Sequence, residues 1–332
     1  MALTNSERLY PIIVGMAALC IAASPIAAHA QSVGYPSKPI RWIVPQAPGT
    51  SNDILTRFVA KKLSEVIGQS VVVENRAGGG GTVGTDFVAK AAPDGQTILM
   101  GNFSTHAVNP ALYRKLPYDA VSDFAPITLV ATYSHMLAVH PSLPAKTVKE
   151  LIQFAKRRPG EINYATAGNG SAQHLAGELF KSIAGVDLTH VPYKGGGPGM
   201  TALMGGEVAV MFPTTGLVLP HAKAGKVRLL AVTSRTRVDA APEVPTLSES
   251  GVAGYELTGW LGALAPAKTH PATVGKLNTE IVRIVQAPDT RTTLAAYGLT
   301  TTSSTPDQFA QLIKSEIVKW TKLAQKTGIH AE

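Results

Sequence analysis

Pro39-Ile40-Arg41-Trp42-Ile43-Val44-Pro45-Gln46-Ala47-Pro48-Gly49-Thr50-Ser51-Asn52-Asp53-Ile54-Leu55 is the stretch on which the fold turns. Ile40 to Val44 is an apolar, partly β-branched run that predicts a strand, and Pro45 to Asp53 breaks it. From Ile54 the period becomes helical: Ile54, Leu55, Phe58, Val59, Leu63, Val66 and Ile67 form one stripe, with Arg57, Lys61, Lys62 and Glu65 off it. The unit is therefore strand, loop, helix. Two prolines and Gly49 stiffen the loop and let backbone approach a ligand, and Ser51, Asn52 or Asp53 caps a helix whose first N–H groups are free. Such a terminus suits a carboxylate or phosphate. An ordinary capped βα turn has the same look, so a second copy matters.

The second copy lies in the other half of the chain. Ile162-Asn163-Tyr164-Ala165 is a strand, Thr166-Ala167-Gly168-Asn169-Gly170-Ser171 a small-residue loop, and Leu175, Leu179, Phe180 and Ile183 stripe the following helix. After the first copy come a strand at Ser70–Asn75, a glycine turn at Gly78–Gly81, a helix from Thr82 to Ala91 and a strand at Gln96–Met100 ending in a polar loop, Gly101–His106. That alternation is the signature of a doubly wound parallel sheet, of α/β class, in which ligands bind outside the carboxyl ends of the strands. Ala125–Pro141 is apolar without a glycine and predicts a strand crossing into a second domain. There Thr147 caps a helix to Arg158, and strands follow at Leu188–Tyr193, Val208–Phe212 and Val227–Thr233, with helices at Met200–Met204 and Leu217–Lys223. Leu257–Ala265 crosses back, and helices at 272–285, 289–297 and from Thr305-Pro306-Asp307 to Ala324 complete the first domain. The expected organisation is residues 36–130 and 259–332 for one domain and 131–258 for the other.

Residues 1–30 read as a secretory signal peptide: Arg8 in a polar start, an apolar stretch from Ile12 to Ile26, and the cleavage pattern Ala28-His29-Ala30. Pro25 and the short length argue against a retained membrane helix. The single cysteine, Cys20, falls inside that segment, so the exported chain would carry no thiol, disulfide or cysteine metal ligand. A periplasmic protein held by its core alone fits, and the remaining length of about 300 residues suits two domains. The formal charge of +8 favours anionic partners. Nucleic acid is excluded by scattered basic residues with no aromatic stripe among them.

The catalytic inventory is empty. Gly79-Gly80-Gly81-Thr82-Val83-Gly84 matches a dinucleotide fingerprint and follows a strand, yet Asn102, not an acid, ends the next strand; a tight helix-packing turn explains the glycines. Lys194 precedes its glycines, so there is no Walker loop. Ser171 falls outside a nucleophile elbow and reads as a helix cap. His106, His135, His140, His174, His190 and His221 show no metal-ligand spacing, and no cofactor is expected.

Pro45–Asp53, Val72-Val73-Glu74-Asn75-Arg76-Ala77-Gly78, Pro93-Asp94-Gly95, Thr166–Leu175, His190-Val191-Pro192-Tyr193-Lys194-Gly195 and Leu230-Ala231-Val232-Thr233-Ser234 occur in order. With these, the chain from about Tyr35 to Ile329 resembles the Bug family of extracytoplasmic solute receptors, which serve tripartite tricarboxylate transporters. The resemblance implies a two-domain periplasmic binding fold, of the type II-like Venus flytrap kind, that closes on a small carboxylate. It places the ligand carboxylate between a first loop (Pro45, Ala47, Gly49, Thr50, Ser51, Asn52, Asp53) and a second (Thr166, Gly168, Ser171, with His174 behind). Asn102, Ser104 and Thr105, then Tyr193 and Gly195, then Phe212 and Thr214 would line the remainder, with His135 at the crossing. Many members carry an Asp after the strand that ends here in Phe212; Pro213 stands in its place. That neutral tip argues against amino acids and for a dicarboxylate, with an aromatic one such as terephthalate among the candidates. The implied partner is a membrane permease, and the expected state is a monomer. Two other readings of the same chain are a ligand-bound adaptor for a signalling ectodomain and an exported α/β hydrolase.

Overall fold

The computed structural model describes residues 35–330. The expected signal segment, Cys20 included, lies outside the described residues. β1 (Ile40–Val44) enters α1 (Ser51–Ile67) through the proline-rich loop, and β2 (Val71–Asn75), α2 (Thr82–Ala89) and β3 (Thr97–Asn102) follow. β1 lies between β2 and β3, parallel to both, so that Trp42 faces Val73 on one side and Ile98 on the other. Alternation divides the strand between two layers. Ile40, Trp42 and Val44 pack with Leu55, Val59 and Leu63 of α1, whereas Ile43 packs with Leu99 on the opposite face. Burial on both faces is why the strand reads as an apolar run, broken only by Arg41, whose guanidinium pairs with Glu74 (2.6 Å).

The expected loop after β3 is instead a π-helical turn, Ser104–Val108, running into α3 (Asn109–Leu112). β4 (Phe124–Ser134) then leads into β5 (Met136–Val139) with His135 alone between them. A second sheet is built from β5, α4 (Val148–Arg157), β6 (Asn163–Thr166), α5 (Ala172–Ala184), β7 (Thr189–Pro192), α6 (Gly196–Gly205), β8 (Val210–Met211), α7 (Thr215–Lys223) and β9 (Arg228–Val232). The chain returns through β10 (Thr258–Pro266), α8 (Pro271–Gln286), α9 (Pro288–Ala295), β11 (Thr300–Thr301) and α10 (Pro306–Thr327).

Both sheets are mixed rather than wholly parallel. The first has the order β11-β4-β10-β3-β1-β2 and the second β7-β6-β8-β5-β9. In each, the parallel βαβ strands are joined by antiparallel crossing strands: β10 beside β3 and β4, and β5 beside β8 and β9. The crossings are tied together at Thr233. His135 N–H donates to Thr233 Oγ1 (3.0 Å), and the Thr233 hydroxyl donates to Leu257 O (2.8 Å). Backbone bonds run from Thr233 N to His135 O and from Leu257 N to Thr233 O, both 2.9 Å.

The glycine pattern that runs into α2 is a packing device. A Cβ on Gly84 would lie 2.7 Å from Arg76 O and 2.9 Å from Pro45 Cα, so only glycine lets α2 seat beneath the first loop.

Candidate functional site

The carboxyl ends of the parallel strands of both sheets face one cleft of about 830 Å³. From the first sheet come Gln46, Gly49, Thr50, Ser51 and Asn52 of the β1–α1 loop, Asn102 at the end of β3, and Tyr133 and Leu261 on the crossing strands. The second contributes Ala167, Gln173, Gly195–Gly197, Thr214, Gly216 and Leu217. Ala296–Leu299, between α9 and β11, complete the wall. Among the described residues, no Asp, Glu, Lys, Arg or His belongs to that lining.

Four helices begin at this cleft. α1 is capped by Thr50, one residue before the candidates the sequence offered, with Thr50 Oγ1 accepting from Asp53 N–H (3.4 Å) and donating to Ala47 O (3.0 Å). Asp53 turns inward, away from the lining. Its carboxylate accepts from Gly49 N–H, Arg57 Nε and Asn75 Nδ2, each at 2.9 Å. Burial pushes this carboxyl up, and those hydrogen bonds with the Arg57 charge outweigh it, so the net shift is downward. The carboxylate is a brace that holds Gly49 in its left-handed conformation (φ 81°) at the cleft mouth.

Asn102 is the best-placed polar side chain. It is buried, with 2 % of its surface exposed; Oδ1 accepts from Thr105 N–H (3.1 Å), and Nδ2 has no partner among the described residues. A buried donor without an acceptor is unfavourable, and a ligand oxygen would satisfy it. Ser104 and Thr105 do not reach the lining. Thr105 Oγ1 accepts from Asn102 N–H (3.1 Å) and meets His106 Nδ1 at 2.9 Å, so it locks the amide from behind. Burial holds the His106 imidazole down at about 3, and thus neutral.

In the second loop only Ala167 lines the cleft. Ser171 caps α5 by accepting from His174 N–H (3.2 Å). His174 Nδ1 accepts from Gly170 N–H (3.2 Å), and its ring stacks on His190 at 3.9 Å. Burial, then the neighbouring His190, pushes His174 down to about 4. Thr166 Oγ1 meets His190 Nε2 at 2.6 Å and Thr166 O accepts from Tyr193 N–H, so Thr166, Gly168, Ser171, His174 and Tyr193 shape the loop from beneath. Phe212 is buried against Phe180, Pro45 lies beneath the first loop against Gly84, and His135 is buried at the crossing, where it bridges Thr214.

Thus Gly49, Thr50, Ser51, Asn52, Asn102, Gly195 and Thr214 are gathered at the cleft, and the other expected contacts support it. Sequence reasoning passed over Gln173, Tyr133, Leu217, Leu261 and Tyr297–Leu299. Gln173 sits two residues past the Ser171 cap, a spacing that faces it toward the same helix end, so a signal existed. The Tyr297–Leu299 segment had none, because its place depends on a long-range contact. A Cβ on Gly298 (φ 72°) would lie 2.8 Å from Gly216 N, so backbone meets backbone where α7 begins.

The model of the tripartite tricarboxylate transporter family receptor matches residues 55–329. BugT of Bordetella pertussis is 37 % identical over 325 residues, 98 % of each chain. Among solved structures, R. palustris Rpa4515 with adipate shares 35 % identity and a TM-score of 0.80, covering 89 % of this chain and 99 % of that one. MatC from Rhodopseudomonas palustris with bound malate shares 32 % and 0.75, covering 87 % and 99 %. The two-sheet architecture, the cleft at the strand ends and these matches agree: the chain belongs to the tripartite tricarboxylate transporter receptor family, the Bug-type solute-binding receptors, and is a binding protein rather than an enzyme.

Proposed function

We propose that the protein is a periplasmic receptor that captures a dicarboxylate in the cleft and delivers it to a tripartite tricarboxylate-type permease, working as a monomer. The observation that carries the reading is Asn102 Nδ2, a buried unpaired donor at the lining beside the start of α1. The N–H groups of α1 and the Asn102 amide would hold one carboxylate; Thr50, Ser51 and Asn52 would surround it. Tyr133, Leu217, Leu261 and Leu299 supply apolar wall for a spacer, aliphatic or aromatic as in terephthalate. Adipate and malate in the two similar structures support a carboxylate ligand. Residues 36–130 with 259–332, and 131–258, would act as the two closing bodies, with the clamp at Thr233 as hinge.

A thermal-shift screen of the purified protein against aliphatic and aromatic mono- and dicarboxylates, tricarboxylates and acidic amino acids tests this. A ligand that binds the native state alone raises the melting temperature. The expected result is a shift with dicarboxylates; a preference for an amino acid over every dicarboxylate would refute the ligand class.

A further inference from the structure

Three neighbouring strands supply one face of the cleft. β10 lies between β3 and β4, and its register pairs Leu261 with Asn102 on one side and Gly259 with Tyr133 on the other. Residues opposite each other in an antiparallel pair share a face, as do residues two apart on one strand, so Asn102, Leu261, Gly259 and Tyr133 all point the same way. Glycine at 259 decides where the phenol goes. A Cβ there would fall on the Tyr133 ring, 2.7 Å from Cε1, so the ring lies across β10 and leans toward β3.

The hydroxyl at the end of that ring is free. Four other tyrosines donate theirs to protein: Tyr35 to Gly95 O (2.8 Å), Tyr118 to Thr105 O (2.7 Å), Tyr164 to Glu178 Oε1 (2.7 Å) and Tyr255 to Ala176 O (2.9 Å). Tyr133 lines the cleft with no such partner among the described residues, and burial alone pushes its phenol up to about 12, so the O–H keeps its proton at neutral pH. Strands about 4.8 Å apart, rising about 3.4 Å per residue, put about 8 Å between a ring over Gly259 and the Asn102 Cα. We propose that the Tyr133 hydroxyl is a specificity contact for an oxygen substituent, hydroxyl or oxo, on the second or third carbon from the carboxylate held at Asn102. The inference rests on the receptor reading above, and it narrows the ligand to an oxygenated carboxylate. Either substituent accepts from the phenol O–H, whereas a bare methylene at that place would strip the phenol of water and leave it unsatisfied.

Calorimetry on the purified protein with three pairs of equal chain length, succinate and malate, glutarate and 2-oxoglutarate, adipate and 3-hydroxyadipate, tests the contact. In the pair that binds most tightly, the oxygenated member should be preferred by about 3- to 10-fold, the value of one neutral hydrogen bond. Tyr133→Phe retains the ring on Gly259 and removes only the hydroxyl. It should bring that ratio to about one while leaving the ligand-free melting temperature unchanged or higher, since a group without a protein partner is lost. Gly259→Ala keeps the hydroxyl but displaces the ring, and should erase the same preference; Tyr133→Phe keeps the test decisive should Gly259→Ala fail to fold. A ratio of one in the unaltered protein, a ratio that survives Tyr133→Phe, or equal losses for both members of the pair would overturn the contact and leave the receptor reading intact. Failure of the unaltered protein to bind any of the six acids would overturn both.

Discussion

Asn102→Asp tests the carboxylate proposed at this amide through a pH dependence read against that of the unaltered protein. The substitution keeps the acceptor for Thr105 N–H at 3.1 Å and replaces the unpaired Nδ2 donor with an oxygen. Two carboxylates about 3–4 Å apart at an effective dielectric constant of about 20 repel by about 4–5 kcal/mol. The penalty is capped, because the introduced carboxyl can take up a proton instead. From an ordinary pKa near 3.9, that costs about 4 kcal/mol at pH 7, or roughly a thousandfold in affinity. At pH 5 the same step costs about 1.5 kcal/mol, and the protonated carboxyl donates as the amide did. Affinity of Asn102→Asp for adipate, taken as a ratio to that of the unaltered protein at the same pH, should therefore rise about tenfold per pH unit between pH 7 and pH 5. Asn102→Ala, which loses the donor and leaves Thr105 N–H without its acceptor, should bind about 10- to 100-fold more weakly with no such slope. Isothermal calorimetry at three pH values reads both variants. Affinity within about threefold of the unaltered protein at pH 7, or a flat profile for Asn102→Asp, would show that no ligand carboxylate rests on this amide.

Other expectations are as direct. Ser51→Trp should fill the cleft and abolish binding, whereas Ser171→Ala should lower stability by about 1 kcal/mol through the lost cap with a smaller effect on affinity; equal effects on binding would contradict the geometry. Gly298→Ala places a Cβ 2.8 Å from Gly216 N in a left-handed backbone, at a strain of about 1–2 kcal/mol before any clash, and should weaken ligand binding by moving the start of α7; unchanged affinity would sink that contact as part of the wall. Burial holds His106 at about 3 and His135 and His174 at about 4, below the ordinary 6.5. The unfolded chain binds those protons first, so stability is full above pH 6.5 and falls as pH drops toward 4, by up to about 1.4 kcal/mol per pH unit for each imidazole. Urea midpoints at pH 7.5, 6 and 5 read this slope, and a constant midpoint would refute it.

What the sequence disclosed follows from the range of each interaction. The β1–α1 unit was legible because the period change from Trp42 to Leu55 is local, and the Ser171 cap because it lies one residue before its helix. Strand order was partly legible: parallel β1, β2 and β3 follow from alternation with helices, but β10 inserting between β3 and β4 rests on pairing across more than a hundred residues. The same limit governs the site. Thr50, Ser51 and Asn52 were found from a motif, whereas Tyr133, Leu261 and Leu299 read as ordinary core or loop residues until the fold sets them on one wall. Asp53 and His174 show the converse. Each is a polar residue in the right loop, and each is turned beneath it by partners: Arg57, an i,i+4 neighbour, with the distant Asn75 for one, and the distant His190 for the other.

A receptor for anions whose cleft is lined without a cation divides its electrostatics between distance and contact. The chain carries a formal charge of +8, spread over its surface, while the described lining offers amides, hydroxyls and helix ends. The net charge acts during approach and is screened by salt, since the Debye length shortens from about 30 Å at 0.01 M to about 10 Å at 0.1 M. A ligand in the cleft as proposed would meet oriented dipoles at hydrogen-bond distance, shielded from mobile ions. Stopped-flow binding of adipate across that salt range should therefore show the association rate falling as salt rises, with the dissociation rate constant to within about twofold. A dissociation rate that climbs in step with salt would mean that an exposed cation holds the bound ligand, and the neutral cleft would no longer account for capture. The division would also suit the proposed delivery to a permease: an anion held by dipoles alone would be released once water takes their place, with no ion pair left to break.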